Sequence, residues 1–492
     1  MKKNLRAKNA RFIEGKGRAG LQPGSAYEAY CPHVPNCVGC PFIKVPYPEQ
    51  LKRKREILCR ALAEYPPLSG IDVPPVVASP QRLGYRARVK LVVRRNRDAV
   101  ATGLYVPQSH RVIDISSCPV HPHSVNQVVH YLKKKIVELG IEPYDERDDS
   151  GDLRYLDLRY SAARREVSVT LVTRHSSFAQ GALLARSLQR RFSFVTGVIQ
   201  NVNEQRGNVI WGTTFRTLSG RDTLLERIGD LKLVLPPGVF SQANPFTARK
   251  LYDHVRELAA LRGTETVLDL YCGVGPISLY LARAARQVWG IDGSELAINT
   301  AKQNARRNGR GNCRFIAGDA ASTLAQLKHT LRQIDLMVLN PPRKGLHEAA
   351  LAPILEFSAP KLIYVSCAPG SLARDLDRLA AAGYRIARVQ PFDMFPQTEE
   401  VETVVLLQRD SAAAAGRGDR PVALHSGRPA NSVARKSIRS IMPQLGNRPA
   451  GCDNRQRAEH AAHERGVWRA EQRGARTGDD RAERVGGLRE HG

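Results

Sequence analysis

The pattern of apolar and polar positions changes along the chain and divides it into regions. Between residues 75 and 235, short apolar or alternating runs, such as 88–94 and 166–172, predict a mainly β region. Between residues 236 and 410, short apolar runs alternate with helical patterns, which indicates βαβ units and a parallel sheet. The sequence therefore predicts an α/β protein in which a parallel-sheet domain follows a mainly β central domain.

The two ends of the chain lack this periodicity. Residues 411–492 are rich in Arg, Ala and Gly, and a segment of low apolar content and high charge is typical of a disordered tail. Residues 1–24 are basic without an apolar core, which predicts a basic arm rather than a signal peptide. Because no run of about 18 apolar residues occurs, no membrane span is expected.

The charge of the chain narrows the class of partner. The formal net charge is +28, and such an excess favours polyanionic partners, because each phosphate contact releases counterions. In the absence of a membrane span or lipidation signal, nucleic acid is the expected partner. Nine cysteines without a secretion signal indicate a reducing, cytoplasmic setting, where closely spaced cysteines bind metal or perform chemistry.

The strongest local motif covers residues 266–276, Thr-Val-Leu-Asp-Leu-Tyr-Cys-Gly-Val-Gly-Pro. An apolar strand runs into a turn with Gly273 and Gly275, where glycine lets the backbone approach a ligand, and Pro276 opens a helix. The turn lacks the Lys-Ser/Thr pair of a phosphate-binding loop and one glycine of the dinucleotide fingerprint. The order Asp269-x-x-x-Gly-x-Gly instead indicates a methyltransferase site for S-adenosylmethionine.

Further polar residues follow the predicted strands of the same sheet. The second strand ends at Asp292, where a carboxylate can accept both ribose hydroxyls, and later strands lead to Asp319, Asn340 and Cys367. Ligands of open parallel sheets bind outside the carboxyl ends of the strands, so we expect these side chains to line one edge. The alternative interpretation is that the Asp and Asn residues form turns and helix caps.

Four motifs together resemble the bacterial RNA uracil-carbon-5 methyltransferases, and the resemblance runs from Cys31 to Leu407. The motifs are 269–275, Asn-Pro-Pro-Arg-Lys-Gly at 340–345, Ser-Cys at 366–367 and Asp-Met-Phe-Pro-Gln-Thr at 393–398. The resemblance implies a class I methyltransferase Rossmann-like domain, preceded by a central domain that contacts RNA. Many relatives have Asp where this chain has Asn340, and the Asn form is similar to a 23S rRNA subgroup. The implied substrate is therefore 23S rRNA.

The resemblance also implies roles for individual residues. Cys367 is the expected nucleophile and Glu402 the expected general base, in a reaction that needs a thiolate, a base and a donor to the developing oxyanion. Glu402 begins the predicted last strand, and an antiparallel course would bring it to the edge where Cys367 lies. The expected contacts to S-adenosylmethionine are Gln242, Tyr271, Gly273, Gly275, Asp292, Asp319 and Asn340.

A second group of residues points to a metal. Cys31, Cys37 and Cys40 follow the spacing Cys-x5-Cys-x2-Cys within a region 25–74, and Cys118 of the central domain is the natural fourth ligand. The spacing alone leaves zinc and an iron–sulfur cluster open, since both accept four thiolates. The family resemblance favours a 4Fe–4S cluster on these four cysteines, and hence a small iron–sulfur region ahead of the central domain.

Other functions remain open at this point. A transfer-RNA uracil-carbon-5 methyltransferase is one alternative. A noncatalytic RNA-binding protein with a structural metal site is another. A cytosine-carbon-5 enzyme typically has Cys after the Pro of the fourth-strand motif, and an amino-group methyltransferase has an aromatic residue there, whereas this chain has Arg343. We expect the protein to act as a monomer.

Overall fold

Two seven-stranded sheets carry the fold in the computed structural model, which describes residues 30–96, 99–207, 209–331 and 333–409. The predicted basic arm 1–24 and the predicted tail 411–492 lie outside the described residues. Within them, no helix has both the length and the apolar character needed to cross a membrane. The described residues 30–206 and 210–409 form one compact unit.

The first sheet has the strand order β3-β2-β1-β4-β5-β6-β7 and is antiparallel except for the parallel pair β5–β6. Its odd-numbered positions Val89, Leu91 and Val93 pack against two helices, because alternate residues of a strand face the same side. The elements are β1 (Arg88–Asn96), β2 (Ala99–Tyr105), β3 (Val112–Asp114), α2 (His123–Glu138), β4 (Leu153–Ser161), β5 (Glu166–Thr173), α3 (Gly181–Arg191), β6 (Val195–Val202) and β7 (Thr214–Gly220).

The second sheet has the order β12-β11-β10-β13-β14-β16-β15, in which β16 is antiparallel to both of its neighbours and the strands from β12 to β14 are parallel. This arrangement confirms the predicted α/β class. The elements are β10 (Thr266–Leu270), α5 (Pro276–Leu281), β11 (Gln287–Asp292), α6 (Glu295–Arg307), β12 (Cys313–Ala317), α7 (Ala320–Leu327), β13 (Leu336–Leu339), α8 (Glu348–Glu356), β14 (Lys361–Ser366), α9 (Pro369–Ala381), β15 (Tyr384–Phe392) and β16 (Glu402–Arg409).

Three elements outside these sheets pack onto the second sheet. Helix α4 (Pro245–Ala259) and the hairpin of β8 (Leu224–Ile228) and β9 (Leu231–Leu235) share a core cluster with β10 and β14 on one face. Helix α1 (Tyr47–Ala63), which follows the first cysteines, packs against α9 on the other face. The segment after the cysteines is therefore part of the core around the second sheet.

Candidate active site

The turn after β10 leaves room for a ligand. Gly275 has φ +83°, and a Cβ there would lie 3.2 Å from the Phe315 ring, so that only glycine fits without a shift. At Gly273, φ is +55° and a Cβ would meet nothing within 4 Å. Tyr271, at φ +61°, is a non-glycine residue in the left-handed region, which is a common sign of a functional constraint. The backbone of this turn is thus exposed toward open space.

A buried carboxylate lies beneath the same turn. Asp269 has no solvent exposure, and its Oδ2 accepts a hydrogen bond of 2.5 Å from the Ser278 hydroxyl. Its Oδ1 has no partner among the described residues. Burial raises the pKa of Asp269 to about 7. A buried acceptor without a partner is costly unless a ligand completes it, and the ammonium and sulfonium charges of S-adenosylmethionine fit an acidic site of this kind.

An open cleft lies beside the turn. Its wall contains four of the seven expected cofactor contacts: Gln242, Tyr271, Gly273 and Asn340. The side-chain amides of Gln242 and Asn340 form no hydrogen bond with any described residue, so both can serve a ligand. The β8–β9 hairpin adds apolar side chains to the remaining wall, namely Leu224, Ile228, Leu233 and Leu235.

The other three expected contacts, Gly275, Asp292 and Asp319, do not line this cleft. The Oδ2 of Asp292 accepts a 2.9 Å bond from the Gly273 N–H, which ties the end of β11 to the glycine turn. Asp319 caps α7 by accepting from the N–H groups of Ala321 and Ser322. In the structure, Asp292 and Asp319 thus act as turn and helix-cap residues, which was the alternative interpretation of the sequence. Each carboxylate still has further acceptor sites for a ligand.

Cys367 and Glu402 meet across a strand pair at the carboxyl edge of the sheet. Ser366 of β14 is paired with Thr403 of β16, and one further step places Cys367 opposite Glu402. The charge of Glu402 acts on the Cys367 thiol, so the two side chains lie near each other at this edge. The predicted antiparallel course of the last strand is confirmed.

Burial and mutual charge set the protonation of this pair. Burial and the neighbouring charge of Glu400 raise the pKa of Glu402 to about 7, while Arg343 opposes the rise. Burial and the charge of Glu402 raise the pKa of Cys367 to about 12, and Arg343 again opposes it. Both pKa shifts favour the neutral forms, the thiol of Cys367 and the carboxylic acid of Glu402.

Residues that the sequence analysis missed support the loop ahead of Glu402. Tyr47, Gln50 and Lys54 are buried residues of α1 that reach the segment 393–397. Their spacing of three and four residues continues into Leu58 and Leu62, which lie in the core. Polar residues on the apolar face of a helix were the sequence signal that could have revealed them.

The four cysteines of the predicted cluster come close enough to influence one another. Burial raises the pKa of the Cys40 thiol to about 12, with further contributions from Cys118, Cys37 and Cys31, whereas Arg86 lowers it. The two contributing segments are also joined by the His33 ring, whose Nε2 lies 3.0 Å from the carbonyl oxygen of Ser117. Across residues 30–409, as far as the structure describes them, no three His, Cys, Asp or Glu residues are already arranged to hold a metal ion.

Comparisons with known proteins show which family the chain resembles. Residues 226–410 match the family model described as tRNA (uracil-5-)-methyltransferase. An uncharacterized RNA methyltransferase of Geobacter sulfurreducens is 42% identical over 377 residues, which cover 77% of this chain and 76% of the relative. Another, from Halalkalibacterium halodurans, is 36% identical over 381 residues, which cover 77% of this chain and 83% of the relative.

One solved structure is similar over most of the chain. The crystal structure of the Pyrococcus abyssi tRNA (uracil-54, C5)-methyltransferase in complex with S-adenosyl-L-homocysteine aligns with a TM-score of 0.61 and 29% identity. The alignment covers 76% of this chain and 86% of that structure. With the family model, the relatives and this fold in agreement, the chain belongs to the RNA uracil-5 methyltransferase family, whose members depend on S-adenosylmethionine.

Proposed function

We propose that this protein transfers a methyl group from S-adenosylmethionine to carbon 5 of a uridine in 23S rRNA, through a covalent bond between Cys367 and the uracil. The observation that carries the proposal is the register of β14 and β16, in which the pair Ser366–Thr403 directly adjoins Cys367 and Glu402, together with the effect of the Glu402 charge on the Cys367 thiol. The cleft beside the glycine turn supplies a site for the methyl donor at the same edge.

The residues have sequential tasks in this reaction. The thiol of Cys367 loses its proton to solvent and the thiolate adds to carbon 6 of the uracil, while the electron pair of the carbon 5–carbon 6 double bond moves toward carbon 5 and oxygen 4. S-adenosylmethionine, when bound, supplies the methyl group that carbon 5 takes up. The carboxylate of Glu402 then removes the proton from carbon 5, the double bond re-forms, and the sulfur leaves carbon 6.

Several groups are suited to hold the reactants for these steps. The amides of Gln242 and Asn340 lie in the cleft wall, where each can donate to a ligand oxygen. Asp269 offers its unpaired Oδ1 beneath the glycine turn. Arg343 favours the charged forms of both Cys367 and Glu402, and a cation at this position also stabilises negative charge that develops on the uracil.

Transfer RNA is the second candidate substrate, and the similar Pyrococcus abyssi enzyme, which by its name acts on tRNA, favours it. The Asn at position 340 favours 23S rRNA because it is similar to that subgroup. Either RNA suits the net charge of +28, since a basic protein gains affinity for phosphate from counterion release.

The substrate assignment is tested by methylation of both RNAs in parallel. The purified protein, given S-adenosylmethionine with a tritiated methyl group, is expected to label unmodified 23S rRNA and to leave unmodified tRNA at background. Digestion to nucleosides should place the label in 5-methyluridine. Label in tRNA alone would replace the substrate, and label in cytidine or in an amino group of a base would contradict the proposed chemistry.

The proposal includes a 4Fe–4S cluster on Cys31, Cys37, Cys40 and Cys118. The support is that four thiols from two separate segments influence one another, and that thiolates are the ligands such clusters use. The neighbouring Arg86 provides a compensating positive charge. Cluster binding would join the segment before α1 to the central sheet through Cys118.

Iron analysis checks this part of the proposal. Protein purified without oxygen is expected to be brown and to contain equal amounts of iron and sulfide. Cys118→Ser should lose most of the iron, because one of the four thiolates is removed. The matched control is Cys59→Ser, a half-buried cysteine of α1 outside the set, which should keep the wild-type iron content. Stoichiometric zinc without iron would refute the assignment.

A further inference from the structure

The loop that precedes Glu402 is held by one face of α1. This loop, residues 393–397, is the first part of the connection from β15 to β16, and Glu402 lies five residues beyond it. The carboxylate of Glu402 accepts no hydrogen bond from any described residue, although the side chain is only 3% exposed. Its position therefore depends on the backbone that carries it rather than on a side-chain partner.

The first anchor of the loop is a buried ion pair. Lys54 and Asp393 both have fully buried side chains, and the Lys54 Nζ lies 2.5 Å from the Asp393 Oδ1. The Tyr47 hydroxyl donates to the other carboxylate oxygen at 2.7 Å, and the Lys54 Nζ also donates to the carbonyl of Phe395 at 2.9 Å. Buried charges persist only when they are paired, so this contact fixes the position of the loop along α1.

The second anchor holds a strained residue. The backbone of Gln397 has φ +73°, a left-handed conformation that residues other than glycine rarely adopt. Gln50 donates to its Oε1 at 2.8 Å and accepts from its backbone N–H at 3.0 Å, and the Phe42 N–H donates to its carbonyl at 3.0 Å. Strain of this kind persists only where the surroundings hold it in place.

The opposite side of the loop contacts the helix that faces the reacting pair. The Thr247 hydroxyl, in the first turn of α4, donates to the Asp393 carbonyl at 3.1 Å. Tyr252, one turn further along α4, lies in the cleft wall, and the charge of Glu402 contributes to the rise of its pKa above the usual value, after burial. The loop is thus fixed between α1 and α4, directly before the strand that carries the base.

We propose that Tyr47, Gln50 and Lys54 are positioning residues, which hold the 393–397 loop so that Glu402 faces the carbon 5 proton of the substrate bound to Cys367. The proposal rests on the function proposed above. It predicts a selective defect, because nucleophile addition depends on β14, whereas proton removal depends on the loop and β16. Loss of an anchor should slow the resolution of the covalent intermediate more than its formation.

The test is the fraction of enzyme held in the covalent intermediate during turnover. Gln50→Ala removes both side-chain contacts to Gln397 and introduces no charge. We expect kcat to fall about 10- to 100-fold, the cost of a small misplacement of a catalytic group, with little change in KM for RNA. The amount of protein–RNA adduct that survives a denaturing gel should rise several-fold over wild type.

The matched control is Gln200→Ala, which removes another buried glutamine from the central sheet, where its Nε2 donates to the Thr173 hydroxyl. This control should lower stability without raising the adduct fraction. Tyr47→Phe is the milder second variant, because it keeps the ring and removes only the hydroxyl bonds. It is expected to raise the adduct fraction less than Gln50→Ala does. If Gln50→Ala does not fold, the adduct fraction of Tyr47→Phe tests whether α1 positions the loop.

Two further outcomes have distinct meanings. Equal loss of adduct formation and turnover, or an adduct fraction equal to that of wild type in both variants, would show that α1 only stabilises the fold and would overturn the inference. If wild-type protein forms no 5-methyluridine at all, the proposed function fails instead.

A double variant, Gln50→Ala with Gln397→Ala, should have the same kcat and adduct fraction as Gln50→Ala alone, since both substitutions remove the side-chain contact between residues 50 and 397.

Discussion

Cys367→Ala is expected to abolish methylation while leaving the affinity for S-adenosylmethionine unchanged. Carbon 5 of uracil is a poor nucleophile until a sulfur has added to carbon 6, so that loss of the thiol removes the activation step itself. Losses of this kind reach on the order of 10⁴-fold or more in kcat. Cofactor affinity should survive because Cys367 is outside the wall of the cleft beside the glycine turn.

Single-turnover transfer of a tritiated methyl group, with equilibrium binding of S-adenosylmethionine measured alongside, checks this expectation. Cys313→Ala is the control, since Cys313 is a buried cysteine that begins β12 at the opposite end of the parallel strands, whereas Cys367 is half-buried. Near-normal activity of Cys367→Ala would refute the mechanism. So would a 5-fluorouridine RNA adduct whose peptide contains Cys272 or Cys313.

Glu402→Gln is expected to leave the enzyme covalently bound to its RNA substrate. Addition of the sulfur and methyl uptake can proceed, but the proton stays on carbon 5 and the sulfur cannot leave. Turnover should fall by about 10² to 10⁴, the usual contribution of a general base. A methylated protein–RNA adduct should accumulate to nearly one per enzyme and resist a denaturing gel.

Labelled RNA on denaturing gels, followed by mass analysis of the Cys367 peptide, measures this adduct. Glu400→Gln is the matched control, because Glu400 is two residues away and pairs with Arg343 at 3.0 Å, but it is partly exposed. It should turn over without trapping RNA. If Glu400→Gln accumulated the adduct and Glu402→Gln did not, the base would have been assigned to the wrong carboxylate.

The alternation of apolar runs and helical patterns predicted the second sheet closely. The second strand was expected to end at Asp292, where β11 ends, and the last strand was expected to begin at Glu402, where β16 begins. Buried parallel strands are continuous apolar runs, and this explains why their limits could be read from the sequence. The antiparallel course of the last strand, which brings Glu402 to the edge where Cys367 lies, followed from the same topology.

The hydrogen-bonding partners of individual carboxylates could not be predicted in this way. Asp292 and Asp319 stand at strand ends as expected, but in the structure they bind backbone N–H groups of the glycine turn and of α7. A strand-end Asp suits a ribose and a helix N-terminus equally well, so that sequence position does not distinguish the two. The partnership of Lys54 with Asp393 was equally hidden, because 339 residues separate its members.

The position of β16 has a consequence for the order in which the enzyme is made. Synthesis delivers β14 and Cys367 first, then β15, and only afterwards the strand that carries Glu402, which is inserted between them. Until then both neighbours have open edges, and the sheet that supports the nucleophile is incomplete. The edge of the sheet at which Cys367 lies is therefore complete only after the last strand, which begins at Glu402, has been made.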